Sequence, residues 1–270
     1  FFWFFVPFPL GAQEFEVHGF LSQGYLKSTG NNYLAKTKAG TWEYSEAAVN
    51  FATNVNDEIS IGLQLFTREL GTLGNFSVEL DWAFGDYAFR DWLNFRIGRI
   101  KNPYGLYGET QDADIVRATV LLPQSVYFLA LRDLLISFNG IAAYGTFDLW
   151  PLGSFDYQLY GGSIMFPNSD DSSIAYYFES EAYDPQTGVQ AFELDRVKAK
   201  WLAGGALKWH TYLDGLVLNA SAILLTGKGV GTISPEVERT QNLLGKTPDG
   251  WTNELKITFH ETLFWVASIQ

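Results

Sequence analysis

Charged residues recur at every second position in two segments of the chain, and apolar residues fill the positions between them. Glu79 and Asp81 alternate with large apolar residues in segment 76–84, and Arg96 does so in segment 92–98. A period of two places alternate side chains on opposite faces of an extended strand. The charges of each segment therefore share one face, where they can attract ions and orient polar solutes.

Residues that could catalyse a reaction lack the spacing that such chemistry needs. The histidines His18, His210 and His260 lie in separate segments without metal-ligand spacing, and the nucleophile motif Gly-x-Ser-x-Gly does not occur. Asp170 and Asp171 could contact a divalent cation, although a solvated acidic loop explains them more simply. The sequence therefore predicts no enzyme, no metal site and no cofactor.

The alternation that positions the charges extends along most of the chain and predicts about ten strands. In segment 76–84 every even position is apolar, so we expect one wholly apolar face there, followed by a turn at 88–91. Asn56-Asp57 and Asp214-Gly215 predict tight hairpin turns. The predicted strands are 15–27, 42–55, 58–68, 76–87, 92–101, 134–149, one from 155, 197–213, one ending near 227 and one from 251.

The lengths of the connections between these strands distinguish between two possible β architectures. Those that follow even-numbered strands are short, whereas several of the others reach about twenty to thirty residues. In an up-and-down sheet the two sets lie at opposite ends, and this segregation is typical of a transmembrane β-barrel, whereas a soluble sandwich mixes its ends. We therefore predict an all-β, antiparallel, up-and-down transmembrane β-barrel. A lipocalin-like or sandwich fold is the soluble alternative.

Composition restricts the partners of such a fold. The net charge of −12 argues against nucleic acid, whose phosphates need a basic surface. There are no cysteines, so neither disulfides nor thiolate metal sites are available. Aromatic residues form 17% of the chain, and tryptophans fall near predicted strand ends, as in the interfacial girdles of membrane barrels. These tryptophans are Trp42, Trp92, Trp150, Trp209 and Trp251.

The first residues differ from the rest of the chain. Residues 1–10 (FFWFFVPFPL) are almost wholly apolar and precede Gly11-Ala12. This pattern is typical of the end of a signal peptide with cleavage after Ala12, and a buried first strand or an interfacial anchor is the alternative. We therefore predict that residues 1–12 are a signal-peptide remnant and that residues 13–270 form the barrel, in the outer membrane of a Gram-negative cell.

The segment 96–109, RIGRIKNPYGLYGE, resembles the strand-into-loop segment of the phosphate-selective porin O/P family. In that family a glycine, a basic residue and a Pro-aromatic-Gly group precede a long loop. Arg117, the group 121–125 and the returning strand 134–139 also look like that family, and the similarity covers residues 14–162 most convincingly.

The resemblance implies a passive diffusion channel for small hydrophilic solutes or ions. It implies a sixteen-stranded, homotrimeric porin in contact with outer-membrane lipid, in which the 102–132 loop folds inward and narrows the pore. The chain would then be a fragment of that barrel, incomplete at its C-terminus. One departure matters: 18 basic residues stand against 30 acidic ones, so phosphate selectivity is not expected.

An infolded loop would bring its acidic residues opposite the basic residues of the wall. Arg68 and Arg96 would then face Glu109, Asp112 and Asp114 across a constriction, where the transverse field favours polar, orientable solutes. Ordinary solvated wall charges without a selective role are the alternative. Arg99 falls on the lipid-facing parity, so a bulge or the strand end must re-aim it. The predicted pore-lining residues are Arg68, Glu79, Asp81, Arg96, Arg99, Lys101, Glu109, Asp112 and Asp114.

Two other functions suit the same barrel. The long external loops could serve binding or adhesion without an open pore. A barrel enzyme such as a protease or lipase is the third hypothesis, and channel conductance separates the porin from both.

Overall fold

A computed structural model describes most of the strand-forming part of the chain. The described residues are 15–33, 35–71, 74–112, 119, 121–129, 132–164, 183–184, 189–190, 192–233 and 254–267. The proposed signal-peptide remnant, Asp114, Asp170 and Asp171 lie outside them. No helix within the described ranges is both long and apolar enough to cross a membrane.

Twelve strands and one short helix make up this part of the structure. They are β1 (Phe15–Gln23), β2 (Tyr44–Asn54), β3 (Ile59–Leu70), β4 (Glu79–Arg90), β5 (Leu93–Lys101), α1 (Arg132–Leu135), β6 (Ser137–Asp148), β7 (Ser154–Ser163), β8 (Tyr183–Asp184), β9 (Val189–Gln190), β10 (Phe192–His210), β11 (Val217–Ile233) and β12 (Glu254–Ala267).

Ten of these strands form one sheet in which every strand pairs antiparallel with its neighbours in chain order. The order is β1-β2-β3-β4-β5-β6-β7-β10-β11-β12, and β8 and β9 form a separate hairpin. The predicted all-β, up-and-down topology is therefore confirmed. The sheet is open, since the described residues show no pairing between its edge strands, β1 and β12.

The connections are segregated by length, as the sequence predicts. The short ones are 55–58, 91–92, 149–153 and 211–216, and all join strands at the same end of the sheet. The predicted turn at 88–91 is wrong, because β4 continues to Arg90 with a register shift between Ala88 and Arg90. The predicted start of the eighth long strand, residue 197, is also late, because β10 begins at Phe192.

A bulge at Asp81 overturns the expectation of one apolar face in segment 76–84. Gln64 pairs with Trp82 but the next residue of β3, Leu65, pairs with Leu80, so Asp81 is an extra residue in β4. An extra residue shifts all later side chains to the opposite face. Trp82 and Phe84 therefore share the face of Gln64, whereas Leu80 shares that of Leu65.

The two faces of the sheet differ in chemistry. We call the face that carries Val49, Ile61, Ile97, Ile141 and Leu159 the apolar face; the register places these residues on one side, and all of them are exposed. The opposite side is the polar face. It carries Asn50, Gln64, Arg96, Tyr144 and Gln158.

Glycines allow the backbones of neighbouring strands among β4 to β7 to approach each other closely. Gly98 has a φ of 135°, and a Cβ there would lie 2.3 Å from the carbonyl oxygen of Ala83. Its partner Gly140 would bring a Cβ to 2.2 Å from the carbonyl oxygen of Gly161. Only glycine fits such close backbone approaches, which are typical of bent sheets.

The main hydrophobic cluster lies between the polar face and the connection from β5 to β6. Tyr104, Leu122 and Tyr127 of this connection are buried together with strand residues of the polar face. Those strand residues are Ile100, Phe138, Ala142, Tyr160, Leu202, Ile223 and Leu225. The described part of the 102–131 loop therefore packs on the polar face, where burial of apolar side chains stabilises it.

Candidate functional site

Arg96 on β5 stands where the loop approaches the polar face. Its Nε donates to Asp86 Oδ2 at 2.8 Å, and its Nη1 lies 3.4 Å from Glu109 Oε1 of the loop. The Tyr144 hydroxyl donates to the other oxygen of Asp86 at 2.5 Å. The guanidinium also lies over the ring of Phe84, 4.2 Å from its centroid. Arg96 is thus held by Asp86 and Phe84 of β4 and contacts the carboxylate of Glu109 in the loop.

Four buried charges form a second network, which we call the charge cluster: Asp81, Lys101, Asp112 and Arg132. Lys101 Nζ lies 3.1 Å from Asp81 and 2.8 Å from Asp112. Arg132 Nη2 lies 2.9 Å from each of the same two carboxylates. The residues are only 2, 8, 5 and 4% exposed, in the order given. Each carboxylate therefore contacts both cations away from water.

The charge cluster joins three distant parts of the chain. Asp81 is the bulge residue of β4, and Asp112 belongs to the loop. Arg132 is the first residue of the helix α1, which follows the loop and leads back to the sheet. Gln64 also donates to Asp81, at 2.8 Å. Burial alone would raise the pKa of Asp112, but the charges of Arg132 and Lys101 outweigh it and hold that pKa well below its usual range.

Further hydrogen bonds attach the loop to the sheet and join residues within the loop. The Gly105 amide donates to Ser221 Oγ of β11 at 3.0 Å, a contact between residues 116 apart. Asn102 Nδ2 donates to the Leu135 carbonyl at 2.8 Å. Tyr104 donates to Gln111 at 3.0 Å, and burial raises the pKa of the Tyr104 hydroxyl, which favours this donor role. The loop therefore crosses the polar face from β5 to β11.

A polar cavity of about 380 Å³ lies between this part of the loop and the polar face. The loop contributes Gly105, Gly108 and Glu109 to the lining of the cavity, and the sheet and its turns contribute mostly charged and polar side chains. The lining residues outside the loop include Asp91, Asn94, Arg96, Tyr144, Thr146, Asp156, Gln158, Lys208 and Asn219. Such a lining suits a polar or charged solute better than an apolar one.

A second cavity, of about 880 Å³, lies on the polar face beside the turn between β2 and β3. Trp82 and Phe84 line it, with ring centroids 5.0 Å apart and planes at 29°. Asp86 also lines it, so the pair that Asp86 forms with Arg96 separates the two cavities.

The structure brings together only part of the predicted constriction. Arg96 and Glu109 come into contact, whereas Asp112 pairs with Lys101 and Arg132. Arg68 is buried and stands opposite Glu46 in the register.

Three other predicted pore-lining residues take different positions. Glu79 lies on the polar face opposite Phe66. Asp81 lies on that face too, but the charge cluster buries it. The register of Arg99 with Ala83 keeps it on the apolar face, and no bulge of its own strand re-aims it. Its Nε donates to the Asp81 carbonyl at 3.2 Å, beside the bulge on the neighbouring strand.

Arg132, Asp86 and Tyr144 were not singled out from the sequence. Asp86 and Arg96 flank one predicted turn, so a correct hairpin register would have paired them. The position of Arg132 depends on the path of a long irregular loop, for which strand periodicity gives no signal.

The histidines show no metal-binding arrangement in the described residues. His210 Nε2 lies 2.8 Å from Asp156 Oδ2, and His18 lies 3.5 Å from Glu16. The described ranges contain no group of three or more potential ligands that could hold a metal ion.

No protein-family model and no curated protein sequence matches the chain.

Proposed function

We propose that the chain forms the wall of an outer-membrane β-barrel through which small hydrophilic solutes or ions diffuse. The passage follows the polar face, and the 102–131 loop narrows it. The proposal rests on the geometry of the sheet and on the chemistry of its two faces.

The observation that carries the proposal is the exposure of the apolar face. Ile97, Ile141 and Leu159 are 66, 60 and 61% exposed, and other large apolar residues continue this surface across the strands from β1 to β11. A surface of this extent is unfavourable in water because the exposure of apolar surface to water costs about 25 cal/mol per Å². Lipid hydrocarbon is the solvent that suits this surface, whereas a soluble sandwich would bury these residues between its two sheets.

Aromatic residues border the apolar face at the end that carries the short turns. Trp92 lies 6.4 Å from Phe147, which lies 5.3 Å from Tyr157, and Phe155 stacks on Trp209 at 5.4 Å. At the other end Trp42 contacts Tyr25 at 5.0 Å. Two aromatic bands that flank an apolar band are typical of membrane barrels.

Gly98 and Gly140 support closure of the sheet into a barrel. Glycines at close backbone approaches are a feature of curved sheets, and the bulges at Asp81 and near Phe89 add local twist. In such a barrel the polar face becomes the lumen, and the Arg96–Glu109 contact stands at its narrow part.

Location and assembly follow from the same proposal. The protein would lie in the outer membrane of a Gram-negative cell, with the short turns in the periplasm and the long loops outside. A homotrimer is the assembly that the family resemblance implies, and outer-membrane lipid is the partner of the apolar face.

Conductance in planar lipid bilayers tests the proposal. The purified, folded protein should give discrete conductance steps in potassium chloride. A protein that inserts into liposomes but gives no steps would exclude the porin and favour the alternative, a barrel that acts through its external loops in binding or adhesion. A protein that stays in the aqueous phase would exclude the membrane barrel itself.

A further inference from the structure

We propose that Trp82 and Phe84 form a binding platform for neutral sugars on the polar face, which names a solute class for the proposed channel and therefore rests on that function. The inference begins from the bulge at Asp81. Without it, both aromatic side chains would lie on the apolar face; with it, they line a polar cavity of about 880 Å³.

Phe84 packs against the main hydrophobic cluster and lies under the guanidinium of Arg96, so Trp82 supplies the aromatic surface that a ligand in the cavity can contact. Trp82 and Phe84 are only half-buried, and they contact each other at 5.0 Å. The cavity falls in the size range of small-molecule sites, which combine apolar or aromatic walls with a few placed polar groups. The aromatic pair supplies the first component.

The strand register supplies the second component. Asn54, Ser60 and Asp86 stand opposite one another on β2, β3 and β4, so they form one polar row across the polar face. In the next row Ala52 and Gly62 stand beside Phe84, and the absence of a side chain at Gly62 leaves room for the ring of Trp82. Neighbouring strands lie about 4.8 Å apart, so the side chains of the row can contact different hydroxyl groups of one small ligand.

The polar row has hydrogen-bonding capacity for a ligand. Within the described part of the chain, the side chains of Asn54 and Ser60 make no hydrogen bond to another residue. Asp86 is already bound by Arg96 and Tyr144, so its charge is compensated. The row thus offers a neutral amide, a hydroxyl and a compensated carboxylate, which suit hydroxyl groups better than a free charge.

A pyranose ring has the complementary chemistry: an apolar C–H face for the aromatic rings and hydroxyl groups at its edge. A cationic solute is the competing ligand, since aromatic faces also bind cations. Arg96 already covers Phe84 from 4.2 Å, and its positive charge disfavours a second cation at this ring. The geometry therefore favours a neutral sugar.

The test uses the full chain folded in lauryldimethylamine oxide, because sugar-based detergents would occupy the site. Glucose, maltose and sucrose are titrated by calorimetry, and the same sugars are added to conducting channels in planar bilayers. We expect binding and a reversible reduction of the current. Sorbitol, which has the hydroxyl groups but no ring, should have much weaker effects on both.

Two variants locate the site. Trp82→Leu should weaken sugar binding about tenfold, which corresponds to about 1.4 kcal/mol of lost ring contact. Trp92→Leu makes the same change at an exposed position beside the aromatic band and should leave sugar binding unchanged. Because Trp82→Leu could perturb folding, the double variant Asn54→Ala, Ser60→Ala gives a second test and should weaken binding without removing an aromatic ring.

The outcomes separate this inference from the proposed function. Conducting channels that neither bind nor respond to the sugars would overturn the platform and leave the porin intact. Sugar binding that depends on Trp82 in a protein without conductance would support the platform and exclude the porin. Binding of choline in place of the sugars, with the same dependence on Trp82, would overturn the sugar assignment.

Discussion

Arg132 Nη2 lies 2.9 Å from Asp81 Oδ1, although 51 residues separate the two in the chain. The contact joins the return of the long loop to the bulge in β4. The same guanidinium nitrogen contacts Asp112 inside the loop, also at 2.9 Å. One buried cation at the end of the loop therefore contacts the sheet at Asp81 and another part of the loop at Asp112.

Removal of this cation should release the loop. In Arg132→Met, the Asp81 and Asp112 carboxylates share only Lys101, and an uncompensated buried charge costs about 3–5 kcal/mol. We expect a loss of unfolding free energy of this size in denaturant titrations of the folded protein. We also expect faster protease cleavage within 102–131, because the loop has lost its attachment.

Arg90→Met is the matched control for this prediction. Arg90 is exposed at the end of β4 and contacts only the ring of Phe89 among the interactions that the structure shows for it. Its substitution should change the unfolding free energy by about 0.5 kcal/mol or less. Equal stability and equal cleavage of the two variants would show that the charge cluster does not hold the loop.

Acidification should weaken the same attachment. The folded-state pKa of Asp112 is lowered below its unfolded value, which for an aspartate is about 3.9. The stabilisation is therefore complete above about pH 4 and declines as the pH falls through the folded-state pKa. We expect urea titrations to show a loss of stability below about pH 4 that is smaller in Asp112→Asn, which should be less stable at neutral pH. Parallel pH profiles of the two proteins would contradict this role for Asp112.

The sheet could be predicted from the sequence because its order depends on short-range periodicity. The strand order and the segregation of the connections follow from the alternation in strands such as β3 and β5 and from hairpin residues such as Asp214-Gly215. The bulge at Asp81 could not be predicted in this way. Residues 76–84 alternate without interruption, and the partners of the Asp81 carboxylate at the bulge, Lys101 and Arg132, lie outside this segment.

The candidate site was predictable to the extent that it depends on strand parity. Strand parity places Arg96 on the polar face, and its contact with Glu109 follows because the loop packs on that face. The partners of Asp112 could not be predicted, because Arg132 approaches from the far end of the same irregular loop. Periodicity carries no information about such a path.

The charge of Arg96 should influence ion selectivity if the passage follows the polar face. Arg96→Gln removes a positive charge beside Glu109 and Asp86, so reversal potentials in a potassium chloride gradient should shift toward cation selectivity. Glu109→Gln should shift them toward anion selectivity. The Coulomb energy of two unit charges 4 Å apart in water is about 1 kcal/mol, which corresponds to about a fivefold change in the permeability ratio.

Glu43→Gln provides a control for the selectivity prediction, since Glu43 lies in the connection before β2 and lines neither of the two cavities on the polar face described above. Its reversal potential should match that of the unmodified channel. Unchanged reversal potentials in both Arg96→Gln and Glu109→Gln would contradict the proposal that the passage is narrowed at this contact.

The assignment of the two faces gives the most direct prediction. Ile141 is exposed in the middle of β6 on the apolar face, and Ile141→Lys would place an ammonium in hydrocarbon. Such a change costs about 2–4 kcal/mol near the midplane of the membrane. Ser60→Lys puts the same charge on the polar face, beside Asp86, and should cost much less. Folding titrations in lipid vesicles measure both, and a lower stability for Ser60→Lys than for Ile141→Lys would reverse the assignment of the lipid-facing and water-facing sides.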